Sequence, residues 1–263
     1  MENAVVLERR EEGIATLVMN RPERMNALNK DLSIALNAAL DRVASDPNVK
    51  VVVLAGAGRA FCAGGDLAVI GKGRQENNLA ELEPILRGGM QMVLKIRTMR
   101  QPVIAAVHGA AAGAGMNIAL AADIRIASED ATFGQNFAKI GLFPDYGGMF
   151  FLPELIGPSR AAEMFYTGEM IDAQTALRLG LVNRVVPAAQ LESETRSLAQ
   201  KIAQGPSVAI EAVKRTLFGS AKERLTKILE LEVEQQMKCF RSEDCAEGIR
   251  AFFEKRKPSF SGK

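Results

Sequence analysis

The sequence contains few of the residues on which nucleophilic and metal catalysis usually depend. Its 263 residues include one histidine and three cysteines. Cys62, Cys239 and Cys245 are odd in number and lack the spacing of metal ligands, a pattern that fits the reducing cytoplasm. Any Ser-His-Asp or Cys-His mechanism would have to use His108, which follows a predicted buried strand. These shortages argue against a metal site and against triad chemistry.

An excess of charge of one sign is also missing. The net charge is +2, and lysine and arginine are mixed with aspartate and glutamate rather than gathered in long runs. Segment 221–240 balances its lysines with glutamates, which argues against RNA binding. We therefore expect small molecules or further copies of the chain as partners, and no nucleic acid.

Long uninterrupted hydrophobic runs are absent as well. The N-terminal "MENAVVLERR" has no extended apolar core, so no secretory signal is predicted. The most apolar segment, 102–122, is broken by His108, several glycines and Asn117, and it ends at Asp123. These features predict no membrane partner and a cytoplasmic location.

Strand and helix patterns alternate along the first part of the chain. With 48% hydrophobic and 24% charged residues, the composition is that of one globular core. Segment 5–20 predicts two strands around Gly13, and apolar spacing predicts a helix from its N-cap at Asp31 to Val43. The next predicted elements are the strand "VKVVVLAG", a long helix over 79–98, the strand "PVIAAV" and a helix over 113–121. This order favours parallel βαβ units.

After Pro187 the pattern changes to helices alone. They are predicted over 191–203, 207–217, 221–240 and 243–253. We therefore predict an α/β core over residues 1–187 and a helical oligomerisation region over residues 188–263.

Two glycine-rich segments follow predicted strands, "GAGRAFCAGGDL" at 56–67 and "HGAAAGAGMNIAL" at 108–120. Neither has the glycine spacing of a Rossmann fingerprint, and the surroundings of Lys72 do not match a Walker motif. Each can still present a backbone N–H at a strand-to-turn junction, and the second opens a helix whose positive end favours an oxyanion. Two converging donors would form an oxyanion hole, although tight turns explain the same glycines equally well.

Five ordered motifs resemble the crotonase, or enoyl-CoA hydratase/isomerase, superfamily. They are "NRPERMNALN" (20–29), the segment 56–67, "PVIAAVHGAAAGAGMNIALAADIRIAS" (102–128), "FGQNFAKIGLFPDYGG" (133–148) and "FFEKRKPSF" (252–260). The resemblance implies an α/β fold, a crotonase-like spiral of ββα units with a C-terminal helical trimerisation region. It also implies an acyl-CoA substrate and a homotrimer or dimer of trimers. No separate cofactor is expected, since coenzyme A is part of the substrate thioester.

The resemblance also implies residue roles. The backbone N–H groups of Gly65 and Ala114 correspond to the oxyanion donors of the superfamily. The residues that correspond to substrate and coenzyme A contacts are Arg24, Ala27, Leu28, Cys62, Ala63, Gly64, Asp66, Leu67, Gly113, Phe137, Leu142, Phe252 and Lys255.

The sequence departs from the superfamily at two catalytic positions. Hydratases of the superfamily carry two glutamates, where this chain has Asn117 and Phe137. Asparagine cannot take up a proton at neutral pH, and phenylalanine cannot even hydrogen-bond, so efficient hydration is not expected. The remaining carboxylate is Asp145 in "GLFPDYGG". It corresponds to the catalytic acid/base of the branch that contains the phenylacetate-pathway ring-epoxide isomerase and 3,2-enoyl-CoA isomerases.

The prediction from the sequence is thus an acyl-CoA isomerase with Asp145 as acid/base. Its substrate is a 3-enoyl-CoA or a ring-epoxide CoA thioester. Apolar neighbours such as Leu142 and Tyr146 would raise the pKa of Asp145 toward neutrality if they line a pocket. From the turn signature alone, an aspartate that bonds to local backbone is the simpler interpretation.

Two other functions and one residue role stay open. The chain is alternatively a weak or specialised hydratase in which Asn117 positions water, or a non-catalytic acyl-CoA-binding scaffold. Asn117 itself either satisfies backbone groups at a helix start or orients substrate or water beside Asp145.

Overall fold

A computed structural model describes residues 4–263. Residues 1–3 lie outside it. They belong to the predicted core 1–187 and to the N-terminal segment for which no secretory signal is predicted. Within the described residues, ten strands form two sheets. The strands are β1 Val6–Glu11, β2 Ile14–Met19, β3 Val51–Gly56, β4 Ala60–Cys62, β5 Val103–Val107, β6 Ala110–Ala112, β7 Ile124–Ser128, β8 Thr132–Gly134, β9 Met170–Asp172 and β10 Arg184–Val186.

The larger sheet has the order β1-β2-β3-β5-β7-β10 and the smaller has the order β4-β6-β8-β9. Among the strands of the described part of the chain, only the pairs β1/β2 and β8/β9 are antiparallel. The pairs β3/β4, β5/β6 and β7/β8 each place their first strand in the larger sheet and their second in the smaller one. Since helices follow these pairs, the fold is a succession of ββα units in an α/β architecture.

The helices cover both faces of the larger sheet. They are α1 Lys30–Ser45, α2 Leu67–Gln75, α3 Glu83–Thr98, α4 Ala114–Ala121, α5 Gly148–Ile156, α6 Pro158–Thr167, α7 Ala173–Arg178, α8 Leu191–Ala203, α9 Ser207–Gly219, α10 Lys222–Arg241 and α11 Glu243–Phe253. Short 3₁₀ turns occupy Pro22–Arg24, Leu79–Glu81, Asn136–Ile140 and Ala188–Gln190.

Strand β5 and helix α4 carry few polar residues because both lie in the core. Every residue of β5 and of α4 is buried. One face of the larger sheet packs with α1, α3 and α4 in the main apolar cluster, and the other face packs with α8. Runs of small and branched apolar residues are therefore what these positions require.

Two predicted helix boundaries are wrong. Asn29, not Asp31, caps α1, because the Asn29 side chain accepts a hydrogen bond from the Leu32 N–H. The helix predicted over 79–98 is broken, since Pro84 lies in the first turn of α3 and a separate 3₁₀ turn precedes it. No helix in the described part of the chain is both long and apolar enough to cross a bilayer.

After Pro187 the regular structure is helical, as the sequence predicts. Helix α8 packs on the larger sheet, and α10 contacts α2, α3, α5 and α11. The helical region therefore packs closely on the α/β part, and a domain boundary at residue 187 stays a prediction.

Candidate active site

A cavity of about 470 Å³ opens where the loop after β4, the start of α4 and the turn before α5 meet α3, α10 and α11. Most of the predicted site residues line it. These are Arg24, Ala27, Leu28, Ala63, Gly64, Gly65, Asp66, Leu67, Gly113, Ala114, Phe137, Leu142, Asp145 and Phe252. The cavity thus gathers residues from motifs that are far apart in the sequence.

Two backbone N–H groups, one on the loop after β4 and one at the start of α4, face no backbone acceptor among residues 4–263. The Leu28 N–H donates to the Gly64 carbonyl at 2.7 Å and the Asp66 N–H donates to the Leu28 carbonyl at 3.0 Å, which leaves the Gly65 N–H outside this pairing. Ala114 is the first residue of α4, so its N–H has no acceptor within the helix.

The loop that carries Gly65 touches the start of α4. A Cβ added at Gly64 would lie 2.8 Å from the Ala112 carbonyl oxygen and 3.6 Å from the Ala114 nitrogen, and Gly64 has a φ of 96°. Only glycine fits this approach without strain. This approach brings the loop of Gly65 against the first residue of α4, and both Gly65 and Ala114 line the cavity.

Asp145 is the buried acid of this cavity. Its residue surface is 7% exposed, and its Oδ2 accepts a hydrogen bond of 2.9 Å from Gln236 Nε2. Its Oδ1 is buried and has no hydrogen-bond partner among the described residues. Burial raises the pKa of Asp145 to about 7, against the lowering effect of the Gln236 hydrogen bond. A carboxyl with this pKa exchanges protons readily near neutral pH.

The turn that presents Asp145 has an unusual backbone. Tyr146 and Gly147 have φ angles of 53° and 84°. The Tyr146 ring packs directly over Gly89 of α3, where an added Cβ would lie 2.1 Å from a ring atom. The missing side chain at Gly89 therefore leaves room for the Tyr146 ring. The packed ring helps to hold Tyr146 at a positive φ, which a non-glycine residue seldom adopts.

Helix α10 supplies two side chains that sequence reasoning missed. The Gln236 amide both accepts from the Phe143 N–H at 3.0 Å and donates to the Phe143 carbonyl at 2.8 Å. One turn earlier, Glu232 accepts hydrogen bonds from the Gly147 N–H at 2.7 Å and the Met149 N–H at 2.9 Å. Burial raises the pKa of Glu232 to about 8, and the charge of Asp145 adds to this shift. The missed signal is the pair of polar residues four apart on the buried face of α10.

Asn117 lies behind the turn rather than on the cavity wall. It is fully buried, its Nδ2 donates to the Asp145 carbonyl at 2.7 Å, and its Oδ1 accepts from Gln135 Nε2 at 2.6 Å. An added Cβ at Gly148 would lie 2.5 Å from Asn117 Nδ2, so the start of α5 closes over this amide. Asn117 therefore supports the backbone of the turn, and both groups of its amide are occupied by protein.

Two more predicted contact residues do not line the cavity. Cys62 is buried in the core, where its thiol donates to the Asn26 carbonyl at 3.1 Å and burial raises its pKa to about 12. Lys255 is exposed beyond the end of α11. Asp66 does line the cavity, but its carboxylate also caps α2 and pairs with Arg21 at 3.1 Å.

Other cavity residues were not predicted as contacts. Several apolar ones come from segment 67–89, which the sequence suggests as part of the acyl pocket, and one comes from α10. They include Ile70, Leu82, Ile85, Leu86 and Phe240.

Comparisons with known proteins match nearly the whole chain, including the segments that line the cavity. A family model described as enoyl-CoA hydratase/isomerase matches residues 9–263. A protein of Rhodobacter capsulatus named as a probable enoyl-CoA hydratase is 44% identical over 253 residues, 96% of each chain. The 1,2-epoxyphenylacetyl-CoA isomerase of Escherichia coli is 36% identical over 265 residues, 98% of each chain. The crystal structure of an enoyl-CoA hydratase from Mycobacterium avium subsp. paratuberculosis has a TM-score of 0.89 and 33% identity, covering 98% of this chain and 99% of that one.

Proposed function

Because this chain belongs to the enoyl-CoA hydratase/isomerase family, we propose that it is an isomerase that shifts a 3-enoyl-CoA double bond to the 2 position, with Asp145 as acid/base. The observation that carries this proposal is the contrast among the acidic residues of the cavity wall. Glu23 is exposed and Asp66 is paired with Arg21, whereas Asp145 is buried with a pKa of about 7 and one unpartnered oxygen. One such carboxyl is enough for proton transfer between two carbons of one substrate.

The proposed reaction uses the carboxyl twice. Asp145 takes a proton from C2, and the electron pair of that C–H bond delocalises over the adjacent double bond and the thioester carbonyl. The Gly65 and Ala114 N–H groups stabilise the negative carbonyl oxygen of this dienolate. Asp145 then returns the proton to C4 as the double bond forms between C2 and C3. No proton or electron is gained or lost overall, and no separate cofactor takes part.

Efficient hydration would need a second group to activate or deliver water. Hydratases of the superfamily carry glutamates at two positions where this chain has Asn117 and the apolar Phe137. The amide of Asn117 is already hydrogen-bonded to Gln135 and to the Asp145 carbonyl. Neither side chain can exchange a proton at neutral pH. Isomerisation is therefore favoured over hydration.

A ring-epoxide CoA thioester is a second candidate substrate. The relative from Escherichia coli is named as an isomerase of such a compound. The cavity wall here includes the aromatic rings of Phe137, Tyr146 and Phe240 beside Asp145. Flat apolar surfaces of this kind suit a ring-derived acyl group as well as an aliphatic chain.

Two spectrophotometric assays on one acyl chain test the proposal, 3-enoyl-CoA isomerisation and 2-enoyl-CoA hydration. We expect isomerisation to exceed hydration, and Asp145→Asn to lose isomerisation while acyl-CoA binding is kept. Asp172→Asn is the matched control, because Asp172 caps α7 on the surface and asparagine caps helices equally well. Dominant hydration would favour the hydratase alternative. Saturable binding without turnover on any enoyl-CoA would favour the scaffold.

We also propose that the working enzyme is a homotrimer or a dimer of trimers in the cytoplasm. Helix α9 buries only Lys214, while Val208, Val213 and Leu217 are 85%, 58% and 65% exposed. Apolar residues concentrated on one poorly buried helix support an interface between copies. The three cysteines carry free thiols, which fits a reducing compartment.

A further inference from the structure

We propose that Gln236 is a positioning residue for this reaction: its amide donates to Oδ2 of Asp145 and so fixes the orientation of the catalytic carboxyl relative to α10. This inference rests on the proposed function, because it concerns the same catalytic carboxyl. It concerns a residue on the C-terminal helical region, 91 positions away from Asp145 in the sequence.

The hydrogen bonds of Gln236 define the orientation of its amide. Oε1 accepts from the Phe143 N–H, and the two hydrogens of Nε2 are directed at the Phe143 carbonyl and at Asp145 Oδ2. Rotating the amide by half a turn would place Oε1 against two oxygens and Nε2 against an N–H. Since Gln236 is 1% exposed, water cannot replace these partners. The donor to Asp145 is therefore fixed.

The fixed donor distinguishes the two oxygens of Asp145. Nε2 donates and cannot accept, so Oδ2 must keep a lone pair toward it in both protonation states. A carbonyl oxygen accepts more strongly than a hydroxyl oxygen, so when Asp145 carries a proton the Gln236 donor favours the form with the proton on Oδ1. Oδ1 is also the oxygen without a hydrogen-bond partner among the described residues. The hydrogen bond from Gln236 can therefore persist in both protonation states, so the carboxyl keeps one orientation through both proton transfers.

The same bonds connect the carboxyl to the backbone that aims it. Gln236 binds Phe143 on one side of the turn, and Glu232 binds Gly147 and Met149 on the other. Side chains four apart lie on one face of a helix, so a single face of α10 holds both ends of the turn.

Several other titratable groups surround Asp145 and enter any pH profile. Glu232 faces it from α10, and Tyr146 follows it in the turn with its hydroxyl directed at the Ile85 carbonyl. Cys62 lies near Tyr146 from β4, and Asp66 stands on the cavity wall as the partner of Arg21. Comparing variants at position 236 with the unchanged chain cancels these contributions, because none of these groups is altered.

The test compares Gln236→Met, which removes the donor, with Gln235→Met on the same helix. Gln235 is its neighbour and only partly buried. We expect Gln236→Met to lower kcat of isomerisation by roughly ten- to a hundredfold with little change in KM. The acidic limb of its pH profile should move to higher pH, since the Gln236 hydrogen bond lowers the pKa of Asp145. Gln235→Met should change neither.

A second variant and a second readout guard against a misfolded protein. Gln236→Glu keeps an acceptor for the Phe143 N–H but brings a second acid to Asp145, so it should raise the pKa of Asp145 further. Infrared titration of ¹³C-labelled aspartate carboxyls, assigned with Asp145→Asn, measures this pKa without turnover. An unchanged Asp145 titration in both variants would overturn the role of Gln236. If the unaltered protein shows no isomerisation but the Asp145 pKa is still shifted in both variants, the proposed function is wrong and the contact between Gln236 and Asp145 stands.

Discussion

At the scale of single residues, the reaction depends on the protonation state of one carboxyl. The pKa of Asp145 is raised to about 7 because burial disfavours its charged form. Proton removal from C2 requires the ionised form, which is depleted below this pH. We therefore expect kcat/KM for isomerisation to rise with pH through about 7 and to level off above it.

Measuring kcat/KM from pH 5 to 9 tests this rise directly. The control variant Asp172→Asn should show the same rise. A profile that is flat down to about pH 5 would mean that the base ionises near the ordinary range of an aspartate and is not the buried Asp145.

Asn117 provides a second test at this scale. Its amide donates to the Asp145 carbonyl and accepts from Gln135, all in a fully buried position. We expect Asn117→Ala to lower the free energy of unfolding by about 1–3 kcal/mol, because both partners lose a buried hydrogen bond. Turnover should fall with it, whereas acyl-CoA affinity should stay the same.

Chemical denaturation and acyl-CoA titration of the same Asn117→Ala preparation separate the two interpretations of this residue. Unchanged stability together with weakened substrate binding would favour the alternative in which Asn117 orients substrate or water.

At the scale of elements, the loop after β4 must approach the start of α4 for its N–H group to act with that of Ala114. Gly64 permits this approach, since an added Cβ would meet the Ala112 carbonyl at 2.8 Å. Gly64→Ala should cost about 1–3 kcal/mol of stability through its φ of 96°. It should also reduce kcat by up to roughly 10²–10³-fold, the usual effect of losing one oxyanion donor.

Gly219→Ala is the control for that substitution, because no atom lies within 4 Å of the added Cβ at the end of α9. Melting temperature and kcat should both be kept in this variant. Full turnover in Gly64→Ala despite a lower melting temperature would show that the loop is structural and does not position a donor.

At the scale of the whole molecule, local patterns predicted most elements, apart from the cap of α1 and the start of α3, whereas contacts between distant segments could not be predicted. The oxyanion loops and the turn of Asp145 are defined by glycines and a proline close in the sequence, and the structure brings them to one cavity. Gln236 could not be assigned, because its contact with Asp145 spans 91 positions and depends on how α10 packs. Cys62 was predicted beside the substrate from its motif, yet every residue of β4 is buried and the Cys62 thiol donates to the Asn26 carbonyl in the core.

The last expectation concerns assembly, which no single chain displays. Val213 and Leu217 are four apart on α9, so both lie on one exposed helix face. If this face is covered by another copy, exchanging both residues for glutamate places charges in an apolar interface and should dissociate the oligomer. Sedimentation velocity should then find the unaltered protein at a trimer or hexamer mass and the double variant at a lower one. Ile34→Glu is the control, because Ile34 is 59% exposed but lies on α1 rather than α9. A double variant that keeps the mass of the unaltered protein would exclude this face of α9 from the interface.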